Sequence, residues 1–255
     1  MPLPTLGAAL KPKATAPLPY HHYSVVMNTD RRLAFFTGVN IDGHISHAIR
    51  RESDRWFFDP RIPREQQTGN EVYVNNELDR GHLVRRLDPA WGSSAKVAKV
   101  ANDDTFHYTN SAPQHRDFNA NRTTWAGLED YILKNAKTHD LKVSVFTGPI
   151  FDQTDDQYRG VQLPRQFWKV VVMVTEEGEL SATGYLLSQD ELLDGLTEAM
   201  LEGFSYGVYK TFQVPIKRIE TLTGLSFGSL SQADPGAELE SFGPREIVAL
   251  EDVVL

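Results

Sequence analysis

The run Asp79-Arg80-Gly81-His82 sets an acid, a guanidinium, a flexible backbone position and an imidazole side by side. Histidine titrates at about 6.5 when unperturbed, so His82 is a natural candidate for a general base at neutral pH. Arg80 can hold a phosphate through two parallel hydrogen bonds from its planar fork. Gly81 would let the backbone approach a ligand or turn sharply. The same four residues also fit a plain loop-to-strand junction, with Asp79 and Arg80 paired and His82 structural. On the tetrapeptide alone both readings stand.

Other local patterns carry less. Gly224-Leu225-Ser226-Phe227-Gly228 has the spacing of a serine-hydrolase elbow, but that elbow needs a strand before the serine and a helix after it. Here a helical pattern precedes and a loop follows. His44 and His47 could suggest a metal pair, yet residues three apart on a strand point to opposite faces. His21 and His22 read as solvated. Asn121-Arg122-Thr123 is formally a glycosylation sequon. The chain has no cysteine, which excludes a disulfide framework, a thiolate zinc site and a cysteine nucleophile.

The elements that must position these residues are mixed. Tyr23–Asn28 and Arg32–Asn40 flank the turn Thr29-Asp30-Arg31 and read as a hairpin, with Ile45–Ile49 as a further strand. Residues 50 to 78 are charged, interrupted by Pro60, Pro63 and Gly69, and read as a long ordered loop. Ser93–Ala101 reads as a short helix capped by Ser93, and Thr105–Thr109 as a strand. The clearest helix runs from Thr123 to Ala136, where Trp125, Leu128, Tyr131 and Ile132 recur at helical spacing. Lys142–Thr147, Phe167–Thr175 and Leu180–Leu187 read as strands. Gln189–Leu193 and Pro215–Thr223 read as helices, the latter with proline in its first turn. Ser229–Pro244 reads as a mobile loop and Glu246–Leu255 as a sheet edge. Five of the fourteen prolines lie within the first nineteen residues, which suggests an N-terminal arm or linker over residues 1–19 and a single α+β domain over 20–255.

With 255 residues, 40% of them hydrophobic and 24% charged, the chain is long enough for a full core and excludes disordered, collagen-like and coiled-coil classes. Its longest apolar run, Val170 to Val174, is far short of the ~20 residues that cross a bilayer. No signal peptide is apparent either, which leaves the compartment open and favours the cytoplasm. The net charge is 26 − 34 = −8. Residues 1–175 nevertheless hold 22 basic against 19 acidic side chains, and residues 176–255 hold 4 against 15. The acidity belongs to the C-terminal third, so a polyanion can still dock on the rest.

Four further stretches join the tetrapeptide. They are Thr109-Asn110-Ser111-Ala112-Pro113-Gln114, then Asn119 through Trp125 with Leu128-Glu129-Asp130, then Thr147-Gly148-Pro149 with Leu163 through Lys169, and Ile219 through Phe227. Taken in order, over about Tyr20 to Leu230, the chain resembles the DNA/RNA non-specific endonucleases, the ββα-metal nucleases. The resemblance implies an α+β, ββα-metal (His-Me finger) fold with a central antiparallel sheet flanked by helices. It also implies hydrolysis of phosphodiester bonds in DNA and RNA. By position, His82 is then the general base and Asn121 the single protein ligand of Mg²⁺, with Mn²⁺ as a substitute. Water and phosphate would complete the ion's shell. Glu129, eight residues or about 12 Å along a helix from Asn121, would orient a bound water. Arg80 and Arg122 would stabilise phosphate charge, and Asp79 belongs to the same substrate-binding group. The family's upstream arginine matches Arg55 best and Arg51 second. Its arginine four residues after the helix glutamate is absent: Leu133 stands there, beside Lys134. The implied partners are DNA and RNA; a homodimer is a further expectation, and the linker-like N-terminus fits attachment to a fused or regulatory module. Two rival readings are a catalytically weakened nucleic-acid-binding homologue and a metal phosphodiesterase of small substrates.

Overall fold

The computed structural model describes residues 1–52, 54–116, 125–175, 178–189, 210–237 and 245–247, with the backbone alone for 125–131, 210–211 and 245–247. Four long strands make its centre: β3 (Tyr23–Asn28), β4 (Leu33–Asp42), β7 (Lys142–Ile150) and β10 (Gln166–Val174). With β2 (Leu18–Tyr20), β11 (Leu180–Ser188), β12 (Lys210–Val214) and β14 (Arg245–Ile247) they form one antiparallel sheet in the order β14-β12-β11-β10-β7-β4-β3-β2. Short pairs lie outside it: β5 (Leu78–His82) with β6 (Ser111–His115), β8 (Gln157–Tyr158) with β9 (Val161–Gln162), and β1 (Thr5–Leu6) with β13 (Leu225–Ser226). The helices are α1 (Ala95–Asp104), α2 (Trp125–Thr138) and α3 (Ile216–Thr223).

The sheet is covered on both faces, which explains why β10 reads as an apolar run rather than an alternation. Phe167 and Val171 join Ile132, Leu133 and Ala136 of α2 in one core. Trp168, Val170 and Val172 join Ile216 and Ile219 of α3 in the other. Residues 1–19, read as an arm or linker, lie docked: Thr5 and Leu6 pair with Ser226 and Leu225, and Leu3, Leu6 and Leu10 pack on the second core.

Several expected elements shift for local reasons. Ile45–Ile49 forms no strand, because Gly43 N–H bonds the Leu141 carbonyl, just beyond α2, and turns the chain away; Ser46 makes only an isolated bridge to Trp91. Thr105–Thr109 is not a strand either. Thr105 ends α1 with its hydroxyl on Asn102, and a 3-10 turn follows over Tyr108–Asn110. The cap of α1 is Ser94, one residue later than expected. Proline sits just before α3, whose first free N–H, on Ile216, is taken by the Asp234 carboxylate at 2.7 Å. That same contact ties down part of the segment expected to be a mobile loop, where a 3-10 turn spans Gly228–Gln232. The long 50–78 segment is ordered around Asp59, which accepts from Tyr20 and Arg61 while Gln67 bonds its backbone. Thr123, Thr124, residues 190–193 and residues 248–255 lie outside the described residues, as do the side chains of Trp125, Leu128 and Tyr131.

Candidate active site

The β5–β6 ribbon holds the tetrapeptide. Its register pairs His82 with Ser111, Gly81 with Ala112, Arg80 with Pro113 and Asp79 with Gln114. Side chains alternate along a strand, so Arg80 and His82 share one face and Asp79 belongs to the other. Proline is tolerated in β6 because the ribbon has only two strands and its outer edge needs no N–H. Gly81 has a specific reason: a Cβ there would lie 2.0 Å from Oε1 of Gln114, whose side chain fills that space. This is close packing within the ribbon rather than a sharp turn.

Asn110 fixes the end of β5. Its side-chain oxygen accepts from Val84 N–H at 2.9 Å, and its amide donates to the Val84 and Thr105 carbonyls at 2.9 and 3.0 Å. Its own carbonyl accepts from Leu83 N–H. The end of β5 is therefore clamped immediately after His82, a structural tie that sequence spacing did not reveal.

Trp56 forms the floor. Its ring lies 4.8 Å from that of His82, and the Arg80 guanidinium lies 5.8 Å from it. Phe106 meets the imidazole edge-on at 4.9 Å. The His82 ring is half-buried, and its Nε2 is enclosed with no hydrogen-bond partner. Burial pushes the His82 pKa down to about 3, Asp54 pulls it up, and Arg51 and Arg86 push it down further. The imidazole is thus neutral at physiological pH.

Arg51 is bound by Asp54 through both ends of its fork. Arg55 makes no ion pair among the described residues and lies over Phe57. Both line a cavity of about 300 Å³ that also touches Phe106. Of the two, only Arg51 has its charge matched by a carboxylate among the described residues. Arg80 donates to Asn70.

The structure thus brings Trp56, Arg80 and His82 together, places Arg55 over Phe57 in the neighbouring cavity, and sets Asp79 on the far face of the ribbon. Glu129 lies in α2 as backbone only, and Asn121 and Arg122 lie outside the described residues. Among the described residues no group of three His, Cys, Asp or Glu could hold a metal. Leu133 is 6% exposed in the core, while Lys134 faces solvent. His44 lies near Asp140 and His47 bonds the Gly92 carbonyl, so they do not converge. His21 bonds Asp104, and His22, expected to be solvated, stacks on Trp91 at 3.5 Å. Ser226 follows the left-handed Gly224 that ends α3, which is the reverse of a hydrolase elbow.

A β-ribbon bearing histidine, a following helix and a broad antiparallel sheet define the ββα-metal nuclease fold. A crystal structure of EndoG in complex with EndoGI, described for the mechanism of EndoG inhibition, matches with a TM-score of 0.62 and 21% identity, over 84% of this chain and 86% of that one. A model of the DNA/RNA non-specific endonuclease family matches residues 8–234, and the chain belongs to that family. It is 43% identical over 246 residues to the uncharacterised protein y4fB of Sinorhizobium fredii (strain NBRC 101917 / NGR234), covering 89% of this chain and 37% of that protein. It is 26% identical to mitochondrial endonuclease G of Bos taurus (74% of this chain, 59% of that protein) and 27% identical to the Homo sapiens enzyme (70% and 57%). The chain spans between about a third and three fifths of the length of these relatives. Among the described residues, no helix is long and apolar enough to cross a membrane.

Proposed function

We propose that this chain is a metal-dependent, sugar-non-specific endonuclease that hydrolyses phosphodiester bonds in DNA and RNA. The observation that supports it most is the grouping of a neutral imidazole with the Arg80 guanidinium around Trp56, beside a cavity lined by Arg55. His82 takes the proton of the attacking water. Nε2 is enclosed without a partner, so in this reading the neutral ring keeps its proton there and Nδ1 carries the lone pair. Arg80 and Arg55 neutralise charge that grows on the phosphate oxygens. Arg122 and Asp79 complete the substrate-binding group.

A single amide ligand from Asn121, with Glu129 orienting a water, suits a hard cation such as Mg²⁺ that keeps most of its hydration. Such an ion, or Mn²⁺ in its place, supplies Lewis-acid stabilisation of the phosphate. Asn121→Ala is expected to lose most activity at low Mg²⁺ and to recover part of it as Mg²⁺ is raised. Loss that does not respond to the metal would remove Asn121 as the ligand.

One observation favours the weakened, binding-only reading. Leu133 is buried in the core, so the family's arginine at that helix position has no cationic replacement there. A plasmid-nicking assay with and without Mg²⁺, run beside RNA and a chromogenic diester, decides between the readings. Metal-dependent cutting of both nucleic acids supports the endonuclease. Binding without cutting supports the weakened homologue, and turnover of the small diester alone supports the phosphodiesterase.

A further inference from the structure

The cavity beside Phe106 has five basic side chains in its wall, Arg50, Arg51, Arg55, Arg86 and Lys99, and two acidic ones, Glu52 and Asp103. Both acids sit on Lys99, at 3.4 and 2.7 Å. Arg51 is matched by Asp54. Arg50, Arg55 and Arg86 have no carboxylate partner among the described residues. Arg86 is nevertheless held in place, donating to the Ile49 carbonyl at 3.0 Å and to the Asn102 side-chain oxygen at 3.2 Å. Asn102 is itself buried, at 4% exposure. These partners are neutral, so they orient the guanidinium without cancelling its charge. Burial, together with Arg51 and Arg85, pushes the Arg86 pKa down, as expected where positive charge is crowded and unmatched.

A concave wall with unmatched guanidinium groups is completed by an anion. Phe106 belongs both to this wall and to the ring contact with His82 at 4.9 Å. The cavity therefore opens one aromatic ring away from the imidazole. We infer that the part of this cavity walled by Arg50 and Arg86 is a second phosphate subsite, beside the phosphate that Arg55 contacts, which holds the next backbone phosphate and so selects polynucleotides over isolated diesters. The inference rests on the nuclease reading above. Its contacts are to phosphate and carry no base information.

Two variants test it, Arg50→Gln and Arg86→Gln. Arg50 is exposed, so its loss leaves the fold intact, and thermal unfolding checks Arg86→Gln. The first measurement is binding of a fluorescein-labelled oligothymidylate in EDTA at several salt concentrations. The second is the ratio of kcat/KM for the oligonucleotide to kcat/KM for a chromogenic thymidine phosphodiester. Each substitution is expected to weaken oligonucleotide binding about tenfold and to flatten the slope of log K against log salt by about 0.7. The kcat/KM ratio should fall to match. Unchanged affinity and slope in a folded Arg50→Gln protein, or an equal fall on both substrates, overturns the subsite. Wild-type protein that binds the oligonucleotide through Arg50 but cleaves nothing leaves the subsite standing and removes the nuclease reading instead.

Discussion

At the residue scale the site turns on an imidazole kept neutral by its surroundings. His82→Ala is expected to lower turnover by about 10²–10⁴-fold while Tm and oligonucleotide binding persist, because the ring packs on Trp56 and Phe106 but bonds no partner. Wild-type turnover in that variant would exclude it as the base. The same ring leaves a signature in stability. Its pKa falls from about 6.5 unfolded to about 3 folded, so the unfolded chain binds more protons between those values. Stability is then full above about pH 6.5 and is lost as pH drops toward 3. Thermal melts from pH 7 to 4 should show this decline. His82→Asn should flatten it.

At the element scale, the β5–β6 ribbon is specified by packing more than by propensity. Gly81→Ala drives a Cβ into the Gln114 side chain, and both are buried, so the ribbon must open or the glutamine must leave. A loss of stability of about 1–3 kcal/mol is expected. Gln114→Ala in the same chain should restore most of the Tm by vacating the space. If the double variant melts no higher than Gly81→Ala, the ribbon is constrained by something other than this contact. Gly43 plays the same part at the other end of the layer, where a Cβ would lie 1.8 Å from the Ala136 carbonyl oxygen of α2. Strand β4 and the helix that carries Glu129 are thereby held in contact.

At the scale of the whole molecule, charge and the N-terminal segment matter most. Residues 1–175 balance at 22 − 19 = +3 while residues 176–255 stand at 4 − 15 = −11. Only a few phosphates are then neutralised, so affinity should fall with salt along a shallow slope. Arg55→Gln is expected to raise KM or lower kcat to a similar degree on DNA and RNA. Steady-state kinetics at two ionic strengths check this, and loss confined to one nucleic acid would show that Arg55 reads more than phosphate. Glu238 and Glu240, in the acidic third, lie outside the described residues. The proline-rich start of the chain acts as a strap over the second core. Deleting residues 1–17 strips Leu3, Leu6 and Leu10 from the second core and removes the partner of β13, so Tm should drop by several degrees. An unchanged Tm would restore its reading as a linker.

The order of motifs in the sequence was enough to indicate the family, the antiparallel core and the candidate base, because those features depend on residue type and spacing. The hairpin strand Tyr23–Asn28 and the helix through Ile132 and Ala136 were legible from their hydrophobic periods. Strand β6 was not, since Pro113 and its polar neighbours look like a loop until β5 lies beside them. Nor were Trp56 and Phe106 legible as the walls around His82, or Asn110 as the clamp after it, because each acts across a gap in sequence that only folding closes. The tertiary structure also separated Arg51 from Arg55, which composition cannot distinguish. One guanidinium is neutralised by Asp54 and the other has no ion pair among the described residues. Residue chemistry is local and can be read along the chain; charge compensation and burial are properties of neighbours in space.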